Sequence, residues 1–287
     1  MGNFPIFVNP GCPNDNFAEC QYSVIGRAVN RIPGSTKASP GYFAISLNHS
    51  IHAEMTATEH AALYRFSFPA GNDPINYAGV KVPYSPVISI DLSDLMTGRA
   101  AGTIEVDADT GRITGNGRYN PSFGAGTYEA FFCADFAGTK IRKTGTFVGD
   151  AAVEDPKFID SARPGSWTNP SGSVGSWIQF EPPANDEILA RVGVSFKSTE
   201  KACQNAESEL PDFAFDKTVK AAESAWREKL SVIEVDPTGV DDEFLTVFWS
   251  GIYRAMLSPQ NYTNENPNWN SSEPYFDSYV FFYIHTS

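Results

Sequence analysis

The chain has 287 residues, 41% hydrophobic and 19% charged, which is globular composition with room for one large domain or two ordinary ones, and it excludes a disordered chain. A net charge of −13 without any basic stripe argues against nucleic acid and anionic membrane surfaces as partners; a neutral ligand such as a sugar fits better. No apolar run reaches the roughly eighteen residues a membrane span needs, and 21 Phe, 12 Tyr, 23 Gly and 20 Pro suit short strands joined by many turns.

The opening, MGNFPIFVNPGC, lacks a basic segment followed by a long apolar one, so no signal peptide is expected. Cys12 and Cys20 enclose PNDNFAE, a stretch rich in turn formers. A disulfide is favoured there over two free thiols, and closing so small a loop would stabilise by roughly 2–3 kcal/mol on the chain-entropy model. Sequons at Asn48, Asn261 and Asn270 also hint at secretion. The spacing of the cysteines, which include Cys133 and Cys203, is wrong for a zinc knuckle.

Up to about residue 200 the pattern alternates. YFAISLN, SIHAEMTATEH, AALYRFSFP, VISIDLSD, GTIEVDADTGRITGNGRY, TYEAFFCADF, SWIQFE and ILARVGVSF read as short strands of an antiparallel sandwich or barrel, with DADTG as a hairpin turn. RPGSWTNPSGSVGSW, residues 163–177, reads as loop. After residue 200 the period becomes helical. Val219, Ala222, Trp226 and Leu230 share one face of a helix that Asp216 would cap. A second helix, capped by Asp241 or Asp242 and ended by Ser258-Pro259, carries Phe244, Leu245, Phe248, Trp249, Ile252, Tyr253 and Met256 at helical spacing. So wide an apolar stripe predicts burial against other helices.

HAEMTATEH resembles a metal site only superficially. In a strand, His52, Glu54 and His60 point to one side, but the two histidines then lie about 26 Å apart, whereas zinc ligands each sit about 2 Å from the ion. A polar outer face is the ordinary reading. DADTG fails as a calcium loop, since its glycine comes one place early and Arg118 stands where a bidentate Glu is needed. No Gly-x-Ser-x-Gly elbow and no phosphate loop occurs. Trp167, Trp177 and Trp269 are candidates to stack on sugar rings, although packing is the commoner role of tryptophan. Asp277, Glu273 and Glu265 lie in an aromatic-rich stretch where paired carboxylates would suit glycoside hydrolysis, and the sequence does not single out a pair.

ASPGYFAISLNHSIHAEMTATEHAALYRFSFP, VGVSFKSTEKACQNAESELPDFAFDKTVKAAESAWREKLSVIEV and FWSGIYRAMLSPQNYTNENP resemble, in order, blocks of the family ninety-two glycoside hydrolases, the calcium-dependent exo-acting α-mannosidases. The resemblance runs from about residue 2 to about residue 279. It implies a mainly β chain: an antiparallel β-sandwich of the galactose-mutarotase-like super-sandwich type over 1–205, a helical linker over 206–236, and the first helix of an (α/α)6 barrel over 237–287. It further implies an active site between the two domains, calcium that helps distort the bound mannose, and an inverting reaction on α-mannosides. In the family, the segment resembling EPYFDSY continues into a Trp-Asp-containing stretch, whereas here Tyr279 is followed by VFFYIHTS. The catalytic acid, the base and most calcium ligands are therefore expected outside this chain, and no residue within it is assigned as catalytic. The resulting expectation is a fragment of an α-mannosidase-like enzyme without turnover by itself; the alternative is a non-catalytic carbohydrate-binding sandwich.

Overall fold

The computed structural model describes residues 4–48, 51–68, 81–92, 99–120, 126–161, 172–257, 260–268, 270 and 276–277. The strands run β1 (Ile6–Asn9), β2 (Lys37–Ser39), β3 (Tyr42–Leu47), β4 (Ile51–Ala57), β5 (Ala61–Ser67), β6 (Val87–Asp91), β7 (Arg99–Val106) and β8 (Ile113–Tyr119). They continue with β9 (Tyr128–Ala137), β10 (Ile141–Val148), β11 (Ala151–Val153), β12 (Phe158–Ser161), β13 (Val174–Phe180) and β14 (Glu187–Ser195). Helices α1 (Thr199–Glu209), α2 (Phe215–Leu230) and α3 (Asp242–Met256) follow, then the short pair β15 (Gln260–Asn261) and β16 (Phe276–Asp277).

Two antiparallel sheets face each other, a five-stranded one in the order β1-β6-β13-β10-β11 and a nine-stranded one in the order β12-β7-β8-β9-β14-β5-β4-β3-β2. The alternation read from the sequence has a direct cause in this layering. Ile188, Ala190 and Val192 of β14 and Ile104 and Val106 of β7 point into the space between the sheets, where they meet Ile88, Ile90, Ile178 and Phe180. Strands β6 and β13 are buried on both faces, because the N-terminal segment with Cys12, Cys20 and Tyr22 covers their outer side against Val87, Phe147 and Trp177. The outer face of the nine-stranded sheet is covered by helices, with Leu210 and Phe215 packed on Ala61 and Leu63.

The DADTG hairpin forms as expected between β7 and β8. Asp107 Oδ1 accepts from the backbone N–H groups of Asp109 and Thr110, and Gly111 takes the positive φ of +71° that closes the turn.

Helix α1 begins at Thr199, ahead of residue 206 where the resemblance places the start of the helical linker. Ser198 caps it by accepting from Lys201 N. It rests on β14 at Gly193, where an added Cβ would come within 2.1 Å of Ala202 O. Asp216 does not cap α2; that position is Ala214, and Asp216 lies one residue inside the first turn, where it pairs with Arg65 at 3.1 Å. For α3 the cap is Asp241, which accepts from Phe244 N. The apolar stripe of α3 departs from expectation, since none of its residues is buried among the described residues. Trp226 of α2 and Tyr253 of α3 touch, with ring centroids 4.7 Å apart.

Two disulfides, Cys12–Cys20 and Cys133–Cys203, cross-link the chain. The first closes the N-terminal cover; the second ties α1 to β9. On the chain-entropy model the second, closing a span of 70 residues, is worth roughly 4 kcal/mol against roughly 2.5 for the first.

Candidate functional site

Four strand ends meet at one end of the sandwich. Antiparallel pairing sets the start of β7, the end of β8, the start of β9 and the end of β14 side by side. A row of aromatic rings crosses this end: Phe4 to Tyr119 at 6.0 Å, Tyr119 to Tyr128 at 5.8 Å, Tyr128 to Phe196 at 6.3 Å and Phe196 to Tyr262 at 5.2 Å. Tyr262 belongs to the chain beyond α3. The row therefore joins the sandwich to the segment that follows the helices.

Glu265 makes the polar part of that junction. Its Oε2 accepts from Ser195 Oγ at 2.6 Å and from Phe196 N at 2.9 Å, and its Oε1 accepts from Asn205 Nδ2 at 3.1 Å. With 4% of its surface exposed, this carboxylate is an anchor whose two oxygens face the sandwich and α1. That corrects its candidacy as half of a hydrolytic pair, because both oxygens are spent on protein donors. Nearby, Lys197 Nζ donates to Oδ1 of Asn270, one of the three sequon asparagines, at 2.8 Å. Asn48 and Asn261 are exposed, and Asn261 Oδ1 accepts from Thr263 N and Oγ1. Asp277 is in β16, in register with Gln260. Trp167, Trp269 and Glu273 lie outside the described residues.

Beneath the aromatic row is a group of buried charges that the sequence pattern did not reveal. Asp91 pairs with Arg27 at 2.8 Å, and both are buried. Arg99 is fully buried; it donates through Nη1 to Ser161 Oγ and through Nη2 to Gly172 O, while its Nε has no hydrogen-bond partner among the described residues. Burial pulls this guanidinium below its ordinary pKa, opposed by the nearby Asp91 charge. Ser161 and Gly172 flank the stretch that contains Trp167, so a single guanidinium ties both of its ends to the start of β7. In sequence, Arg99 is one residue of an unremarkable TGRAAG run, and only the pairing of β7 with β12 shows what it reaches.

Trp177 is not available to a sugar, which corrects its candidacy. It is fully buried, stacked on Phe17 with centroids 4.3 Å apart, and its Nε1 donates to Thr146 O and Val153 O. The two histidines of HAEMTATEH go separate ways, as the strand spacing required. His52 Nδ1 contacts Ser46 Oγ at 2.9 Å, and His60 Nδ1 contacts Glu209 Oε1 at 2.7 Å. Glu54 accepts from Tyr42 Oη and Arg65 Nε; burial and that carboxylate push the Tyr42 hydroxyl up to about 12. Among the described residues, no group of three or more His, Cys, Asp or Glu side chains is placed to hold a metal ion.

Comparison with known proteins follows the same division of the chain. Residues 1–195 match the glycosyl hydrolase family 92 N-terminal domain, and residues 201–287 match the glycosyl hydrolase family 92 catalytic domain. An uncharacterized secreted glycosidase of Arthroderma benhamiae is 46% identical over 283 residues, covering 97% of this chain and 36% of the relative. Among solved structures, the glycosyl hydrolase ccman5 superposes with a TM-score of 0.75 at 19% identity, over 98% of this chain and 37% of that one. A family GH92 inverting mannosidase from Bacteroides thetaiotaomicron superposes with a TM-score of 0.71 at 21% identity, over 90% of this chain and 30% of that one. The chain thus spans about a third of the length of these relatives. With family models matched in order along both of its parts, this chain belongs to glycosyl hydrolase family 92.

Proposed function

We propose that this chain supplies the sandwich and the junction of an α-mannosidase-like glycoside hydrolase acting on α-mannosides of N-glycans or mannans, and that residues 1–287 do not turn over substrate by themselves. The observation carrying this reading is the junction: Glu265, from the part that matches the catalytic-domain model, is bonded into β14 and α1 of the sandwich. A cleft between two such parts needs both for its walls. In an inverting hydrolysis one carboxylic acid protonates the leaving oxygen while a carboxylate across the sugar activates water. Glu265 is committed to the anchor and fills neither role.

Calcium enters this reading only through the family resemblance. Among the described residues no three His, Cys, Asp or Glu side chains come together around a possible ion position. Export to an oxidising compartment is part of the same proposal; two disulfides and the secreted description of the Arthroderma relative support it. No helix among the described residues is long and apolar enough to cross a membrane.

The test is release of mannose from an α-mannoside by the purified polypeptide with added calcium. No turnover is expected from residues 1–287. Turnover that a chelator abolishes would overturn the proposal.

A further inference from the structure

A groove of about 580 Å³ opens at the opposite end of the same strands, between the β7–β8 turn, the β9–β10 turn and the chain leading into β12. Its lining is rich in charge: Lys140, Arg142, Lys143 and Lys157 against Asp109 and Glu154. Most of that charge is already paired. Arg142 forms a two-point pair with Asp15 at 2.8 and 2.9 Å, Lys143 holds Glu154 at 2.6 Å, and Lys157 donates to Thr144 O at 2.7 Å with the Asp155 carboxylate 3.9 Å away. Two exposed charges remain without a partner among the described residues, the Lys140 ammonium and the Asp109 carboxylate.

These leftovers define a chemistry. They supply one cationic donor and one anionic acceptor whose charges cancel, beside the hydroxyl of Thr110 and the half-buried ring of Phe136. A strongly charged ligand gains nothing from such a lining. A compact neutral molecule with neighbouring hydroxyls and one apolar face does, because it can give a hydroxyl proton to Asp109, accept from Lys140 and rest C–H groups on the ring. The volume suits one or two sugar rings.

We propose that this groove binds a neutral saccharide. The ligand class rests on the family reading above, but the site and its residues do not, and the two can fail separately. The experiment is an amide chemical-shift titration of the 287-residue chain with mannobiose, with glucuronate as a charged control. Expected are saturable shifts at Asp109–Thr110 and Thr139–Lys143 in the millimolar range, with the dissociation constant raised at least fivefold by Asp109→Ala and by Lys140→Ala. Both side chains are exposed, so neither change threatens the fold. The proposal is overturned by absent shifts up to tens of millimolar, by shifts that both variants leave unchanged, or by glucuronate binding as tightly as mannobiose. Any of these results leaves the mannoside-hydrolysis proposal standing, since that depends on the junction at the other end.

Discussion

Trp177 and Glu265 share a lesson, since both sit in sequence among candidate sugar-binding residues and both are spent on the protein itself. Trp177 fills the layer between the N-terminal cover and the five-stranded sheet. Truncation to alanine removes its stacking on Phe17 and leaves a large void, so Trp177→Ala is expected to cost about 3–5 kcal/mol in a urea unfolding series. A loss below about 1 kcal/mol would contradict its place in the core. At Glu265 the change to Gln turns one acceptor into a donor facing Ser195, Phe196 or Asn205. The expected loss is about 1–3 kcal/mol, together with faster hydrogen exchange at the Phe196 amide. Exchange as slow as in the unaltered chain would show that the anchor is not made.

The elements are joined by charged contacts as much as by apolar ones. The β4–β5 hairpin is held to the C-terminal end of α1 by Glu209, which accepts from Thr58 Oγ1, His60 N and the His60 ring. Burial pushes the Glu209 carboxyl up, but these hydrogen bonds and the His60 charge outweigh it and hold the group below the ordinary carboxylate range. Glu54 behaves alike, with burial opposed by Arg65 and Tyr42. A carboxylate depressed in the folded state stabilises fully above its unfolded value of about 4.3, and that contribution fades as pH falls through the folded value. Urea midpoints are therefore expected to hold from pH 7 to about 5 and to drop below about 4.5, more steeply in the unaltered chain than in Glu209→Gln. Parallel pH profiles for the two would remove Glu209 from the account.

At the scale of the whole molecule, α3 carries two of the most exposed large apolar side chains among the described residues. Phe244 and Val247 on it are 63% and 71% exposed, and Leu245, Trp249 and Tyr253 line a mostly apolar groove against Leu230 of α2. An amphipathic face of this width normally has a neighbour. Residues 1–287 in isolation are expected to associate with rising concentration in sedimentation velocity, and Phe244→Glu combined with Val247→Lys should suppress this with little change in melting temperature. A monomer at every concentration up to about 100 μM would refute the expectation; the figure is set by the micromolar-to-millimolar range in which exposed apolar surface drives association.

Period and turn chemistry are local, and the sequence was sufficient for them. The alternation in YFAISLN, SIHAEMTATEH and ILARVGVSF placed β3, β4 and β14, DADTG placed the β7–β8 turn, and the helical spacing of Phe244 through Met256 placed α3. Ordered blocks of residues were also enough to point to the family. Strands β1, β2, β10, β11, β12, β15 and β16 carry no legible alternation, because they are short or carry charges on an exposed face, as in IRKTGTFV, which blurs a period of two. Helix α1 has no legible apolar period, because TEKACQNAESE has little apolar content; it is held by Gly193, by the Cys133–Cys203 bond and by Asn205, none of which a periodicity can register. The roles of Trp177, Glu265 and Arg99 were settled only in three dimensions. Whether a ring or a charge serves the core or a ligand depends on which distant partners reach it, and tertiary packing brings those partners in from 60 or more residues away for Glu265 at Asn205 and for Arg99 at Ser161.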